Sequence, residues 1–220
     1  MIKLVLTTTL FTWSLFAFSQ SPTLGVQAGA FSNQLNDGYE TSNGFGYSLG
    51  LSGTFALSKK IFFRPELNFQ RRNLTDTYEE SGSNSAYSYE SSFTVTTGIS
   101  MIDIPLLFEY RTASGLGFYI GPQFGTSIGI KSKVEYYSKE VDLETNEVYE
   151  ESEEYSDDYN DNIQEISMAV GAVYNMNNGF TFDIRAQRSL LTDFDNEFDP
   201  EISWTLLQLS LRYTFKTKKG

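Results

Sequence analysis

Apolar and polar residues alternate with a period of two along most of this chain, and the rhythm divides the sequence between Thr23 and Phe215 into eight runs. A period of two describes a strand whose two faces meet different surroundings. The last runs show it plainly. Phe180, Phe182, Ile184 and Ala186 alternate with Thr181, Asp183, Arg185 and Gln187, and Leu207, Leu209, Leu211, Tyr213 and Phe215 alternate with Gln208, Ser210, Arg212 and Thr214. The pattern predicts strands over 22–32, 43–57, 61–73, 98–111, 116–133, 162–175, 179–190 and 202–216.

The joints between these runs alternate long and short. Short joints fall at 58–60, 112–115 and 176–178, the last running into Gly179 with turn chemistry suited to a hairpin, and long ones at 33–42, 74–97, 134–161 and 191–201. An even strand number with short turns at one end and long loops at the other describes an antiparallel up-and-down transmembrane β-barrel, with both termini on the periplasmic, short-turn side. Phe55, Phe63, Tyr110, Phe118, Tyr174, Phe180, Tyr213 and Phe215 fall near the short-turn end on the apolar face, as an interfacial aromatic girdle requires. A sparser ring at the other end takes in Phe45, Phe69 and Trp204.

The opposite face carries the candidate chemistry. Gly44, Gly46, Ser48, Gly50 and Ser52, with Gly117, Gly121, Gly125 and Gly129, form small inward walls. Arg64, Glu66, Arg72, Asp103, Glu109, Asp183, Arg185 and Arg212 point long charged arms toward them. An eight-stranded barrel is just wide enough to be filled by side chains. The expectation is therefore a salt-bridged plug of structural character, since an unpaired buried charge is costly.

The segment before the first run changes the compartment. Lys3 precedes an apolar stretch from Leu4 to Phe18, and Ala17-Phe18-Ser19 has small residues where a signal peptidase reads, so residues 1–19 are expected to be a signal peptide and 20–220 the barrel domain. Elsewhere no run approaches the apolar length of a spanning helix, and a membrane-inserted chain must then be a closed barrel. Composition removes several functions. The 220 residues hold no histidine and no cysteine, which takes away the usual base, the thiolate nucleophile and most zinc sites. The net charge of −12 speaks against nucleic acid as a partner. No cofactor is expected.

Nearly all of that charge is local. Val134 to Asp161 holds twelve acidic residues and one lysine. Glu150, Glu151, Glu153, Glu154, Asp157, Asp158 and Asp161 offer hard oxygens for a divalent cation, but Asp158, Asn160 and Asn162 are not followed by the glycine of an EF-hand-like turn, so no defined metal site is predicted. Mutual repulsion predicts a solvated, mobile extracellular loop over 134–161. Tyr136, Tyr137, Tyr149, Tyr155 and Tyr159 add a recognition character to it.

Ile102-Asp103-Ile104-Pro105-Leu106-Leu107 and Tyr119-Ile120-Gly121-Pro122 resemble the paired "ieiPll" and "aGp" strands of the PorT-like small outer-membrane barrels of Bacteroidetes. Gln208, Ser210, Tyr213 and Phe215 resemble the C-terminal signal that the barrel assembly machinery reads, with Ser210 where glycine is usual. The resemblance implies an outer-membrane protein in contact with membrane lipid and lipopolysaccharide. The combined expectation is a non-enzymatic integral outer-membrane β-barrel whose acidic, tyrosine-rich loops serve a structural or interaction role toward an extracellular or periplasmic protein. Two alternatives stand beside it: transport of small solutes or ions through a porin-like lumen, and an exported soluble barrel holding an apolar ligand with its faces reversed.

Overall fold

Apolar residues recur at every second position along most of the chain, and in the computed structural model it is drawn out into ten strands. The structure describes residues 22–36, 41–84, 86–159, 162–194, 197–198 and 202–215. The expected signal peptide and the tail beyond Phe215 lie outside the described residues.

The strands are β1 (Thr23–Asn36), β2 (Thr41–Ala56), β3 (Ile61–Ser83), β4 (Tyr87–Arg111), β5 (Leu116–Asp142), β6 (Val148–Tyr159), β7 (Ile163–Asn175), β8 (Phe180–Phe194), β9 (Glu197–Phe198) and β10 (Ser203–Thr214). Every pairing is antiparallel. β10 pairs with β1 on one side and β8 on the other, so β1, β2, β3, β4, β5, β7, β8 and β10 close a ring of eight. Closure leaves the ring no free edge, the condition for spanning a bilayer with strands. The short turns have the required chemistry: Gly115 and Gly179 take left-handed φ values of 88° and 94° that a side chain would resist.

The apolar faces point outward. Leu209 is 61% exposed and Ile184 54%, whereas Arg212 and Asp183 beside them are buried. This excludes the reversed-face alternative with an apolar ligand inside. At the short-turn end the outward rings touch one another: Phe180 and Tyr213 lie 5.0 Å apart between centroids, Tyr213 and Phe215 5.5 Å, Phe63 and Phe108 5.3 Å. Leu209→Arg on this band is expected to destabilise the inserted barrel by about 2–4 kcal/mol, measured by urea unfolding in lipid vesicles. No loss would place Leu209 away from the hydrocarbon.

Two expectations change. The segments 74–97 and 134–161 are largely strand: β3 and β4 stay paired out to Ser83 and Ser88, and β5 pairs with β4 out to Asp142 and with β6 out to Val141. A four-stranded sheet thus rises beyond the barrel wall. The acidic segment folds as a β-hairpin because Lys131, Lys133 and Lys139 on β5 offset the carboxylates of β6, and Tyr78, Phe93 and Tyr136 fall opposite one another across strands. The second change is a bulge. Ser100 pairs with Gly129 and Met101 with Ser127, leaving Ile128 without an opposite residue. The period flips there, so Ile130 turns inward and Gly129 leaves the inner wall.

Candidate functional site

Strand pleat brings residues two apart in sequence onto the same inner wall, and the lower half of the lumen is built on this. Arg64 and Glu66 come from β3, Glu109 from β4, Tyr119 from β5, and Asp183 and Arg185 from β8. The Arg64 guanidinium is the hub. Its Nη1 donates to Glu109 Oε2 at 2.8 Å and its Nη2 to Asp183 Oδ2 at 3.0 Å, while Nε lies 3.0 Å from Glu66 Oε1. Arg185 Nη2 donates to both oxygens of Glu66, at 3.0 and 2.8 Å. Gln27 and Asn68 donate to Glu66 as well, at 2.8 and 3.1 Å. The Tyr119 hydroxyl donates to Asp183 at 2.5 Å and accepts from Arg185 Nε at 3.1 Å, and the Arg64 guanidinium lies 4.4 Å from the ring centroid. At the short-turn mouth Arg111 donates to Glu109 at 2.5 Å.

The small walls provide the space. A methyl group added at Gly50 would collide with the Asn68 side chain, and one at Gly171 with the Tyr119 hydroxyl. Here the chain has exchanged side-chain volume on one wall for long polar arms from the other.

The upper lumen is different. Arg72 donates to Glu165 at 2.6 Å and to Gln70 at 3.3 Å, whereas Asp103 sits 3.9 Å from it and accepts no hydrogen bond among the described residues. Arg212 is buried but forms no ion pair among the described residues. The sequence set is thus brought together only in part: Arg64, Glu66, Glu109, Asp183 and Arg185 form one cluster, Arg72 and Asp103 a second, and Arg212 stands apart. Glu165 and Tyr119 were not anticipated. Period two from Val170, Ala172 and Tyr174 outward places Glu165 inward, and Tyr119 lies between the inward Gly117 and Gly121, so both were within reach of the same rule.

Above Arg72 the lumen is apolar. Phe31, Leu74, Ile99, Met101, Ile130, Ile163, Trp204 and Leu206 form one buried cluster. Trp204, expected in the outer aromatic ring, is fully buried inside it, with the Arg72 guanidinium 5.0 Å from its ring centroid. It shares the parity of Leu206, Gln208 and Arg212, and the pleat overrides the preference of a tryptophan for an interface.

On the projecting sheet, Glu150, Glu154 and Asp158 pair with Lys139, Lys133 and Lys131 at 3.3, 3.2 and 3.1 Å. Glu151, Glu153 and Asp157 lie on the other face of β6, and Asp161 is outside the described residues. The hydrogen bonds it donates to Glu135 and Glu154 hold the Lys133 ammonium above its ordinary pKa. At the tip, backbone N–H groups of Thr145 and Glu144 donate to Asp142 and hold its carboxyl below the usual range, and Asn146 takes a φ of 60°. Of the expected assembly signal, Gln208 and Ser210 are buried, Gln208 donating to Ser48 at 3.0 Å, and Tyr213 and Phe215 face outward at the short-turn end.

A closed eight-stranded ring, apolar outside and ion-paired inside, defines a small integral outer-membrane β-barrel. The chain belongs to the family described as outer membrane protein beta-barrel domain, which matches residues 17–196. No curated protein matches it. Among solved structures it is similar to Neisserial surface protein A, at 12% identity over 89% of this chain and all of that one, with a TM-score of 0.48. It is also similar to Ail, the attachment invasion locus protein of Yersinia pestis, at 13% identity over 89% of this chain and all of that one, with a TM-score of 0.43.

Proposed function

We propose that this outer-membrane barrel is a sealed, non-enzymatic anchor that displays the β3–β6 sheet outside the cell, with both termini in the periplasm and residues 1–19 removed on export. The supporting observation is the two-tier filling of the lumen. Charged arms cross-link the lower half and the Trp204 cluster fills the upper half, which favours a plug over the transport alternative. The absence of histidine and cysteine in the sequence favours a non-enzymatic role. The "ieiPll" and "aGp" strands support placing the chain in the PorT-like group, and Gln208, Ser210, Tyr213 and Phe215 support recognition by the assembly machinery. Arg71 and Arg188, on the outward face toward the long-loop end, are suited to phosphates of lipopolysaccharide. The partner of the displayed sheet is an extracellular one in this reading.

Cysteine scanning of whole cells tests it. A membrane-impermeant maleimide is expected to label Ser152→Cys on intact cells and to label Lys60→Cys only after lysis. The same barrel in a planar bilayer is expected to carry no single-channel current. Labelling of Lys60→Cys from outside would invert the orientation, and steady unitary conductance would overturn the sealed lumen.

A further inference from the structure

The two faces of the projecting sheet differ in a way that its overall acidity hides. Strand parity carries one face up from the lumen wall and the other from the lipid-facing wall. All three lysines of the projection lie on the outer face, where they pair with Asp158, Glu154 and Glu150. The lumen-side face has no basic residue among the described ones. It carries most of the aromatic rings instead, Tyr137 on the outer face excepted, together with carboxylates, of which Glu151 and Glu153 have no basic partner among the described residues.

Register arranges this face into three rows running across the strands. The first is Tyr78, Phe93, Tyr136 and Glu153; the second is Glu80, Ser91, Ser138 and Glu151; the third is Gly82, Tyr89, Glu140 and Tyr149. The middle row has small residues at its centre and stands between two rows of rings. The result is a trough floored by Ser91 and Ser138, and the surface is hollowed there between Tyr89, Tyr136 and Tyr149. A carboxylate closes each end, Glu80 on β3 and Glu151 on β6, three strand spacings or about 14 Å apart. Tyr89, Tyr136 and Tyr149 are 43%, 39% and 60% exposed, so the trough is open to solvent.

Such a shape selects its ligand by charge and length. Carboxylates so far apart cannot converge on one inorganic ion, which needs its oxygens within a single coordination shell. Aromatic walls attract methylene groups and organic cations alike, the latter through the ring faces. We infer that the lumen-side trough binds a linear aliphatic polyamine, its methylene chain lying between the tyrosines and its terminal ammonium groups on Glu80 and Glu151. The inference rests on the surface-display reading, because only an outward-projecting sheet meets such a solute.

The test is calorimetric titration of the refolded full barrel in detergent with spermidine at low salt. Glu80→Gln with Glu151→Gln is expected to weaken binding about tenfold, from two lost ammonium–carboxylate contacts and their cooperation with the ring faces. Tyr149→Ser, which removes a wall and no charge, is expected to weaken it about threefold. Glu150→Gln with Glu154→Gln on the outer face is expected to leave affinity within about twofold. All positions are exposed strand surface, and heat-modifiable gel migration verifies folding of each variant. Absent binding, equal weakening by the outer-face pair, or tighter binding of trilysine than of spermidine would each overturn the inference, the last assigning the trough to a basic polypeptide. Failure here with Ser152→Cys still labelled from outside removes the polyamine site alone. Failure of that labelling removes the display reading with it.

Discussion

Arg64→Ala is expected to destabilise the barrel by about 3–5 kcal/mol, the largest loss available in the lower lumen. The side chain is fully buried and faces Glu66, Glu109 and Asp183 at 3.0, 2.8 and 3.0 Å. Removing it leaves those carboxylates with Arg185 and the half-buried Arg111 as the nearest cations, and a buried carboxylate without its partner is far costlier than the pair was favourable. Equilibrium urea unfolding in lipid vesicles, followed by tryptophan emission and gel migration, measures the change. Arg64→Lys is expected to recover only part of it, because an ammonium group cannot present the guanidinium fork to three acceptors at once. A loss below about 1 kcal/mol for Arg64→Ala, the range of an exposed pair, would mean that lumenal water solvates these groups and that the plug is not held by ion pairing.

Trp204→Ala is the second. The indole is the largest fully buried side chain of the upper lumen and packs with Phe31, Leu74, Ile99 and Ile163 above the Arg72 guanidinium. Its removal leaves a cavity that a closed sheet cannot collapse into, so a cost of about 3–5 kcal/mol is expected. Trp204→Phe is expected to restore most of it. The two substitutions sit in separate tiers, Arg64 in the ion-paired half and Trp204 in the apolar half, and their effects are expected to add in the double variant to within about 0.5 kcal/mol. A Trp204→Ala barrel as stable as the parent would place the indole outside the lumen, at the membrane interface that its residue type suggests.

The assignment of inner and outer faces was legible in residues such as Leu209 and Arg212, because a pleated strand forces neighbours to opposite sides and hydrocarbon and water sort them without reference to the rest of the fold. Connection parity was legible for the same local reason, since Gly115 and Gly179 mark tight turns by backbone conformation alone. Residue type points against the pleat at Trp204, and the pleat rule itself fails at Ile130, where one extra residue in β5 changes the parity of everything beyond it. The acidic segment is illegible for a different reason. Composition counts charges but not their sides, and only pairing with β5 shows that three of the six β6 carboxylates face lysines.

By itself the sequence determined that this chain forms amphipathic strands in up-and-down order with their oily side turned to the membrane, because each of those properties depends on neighbours within a few residues. The tertiary structure alone decided which charges meet: Arg64 joins carboxylates from its own strand, the next one and β8, the last 119 residues away, and ring closure brings them together. It also decided where the barrel is capped with apolar groups and how the long hairpins assemble into a two-faced sheet. Cross-strand distance depends on register and on bulges, and neither is encoded in any single strand.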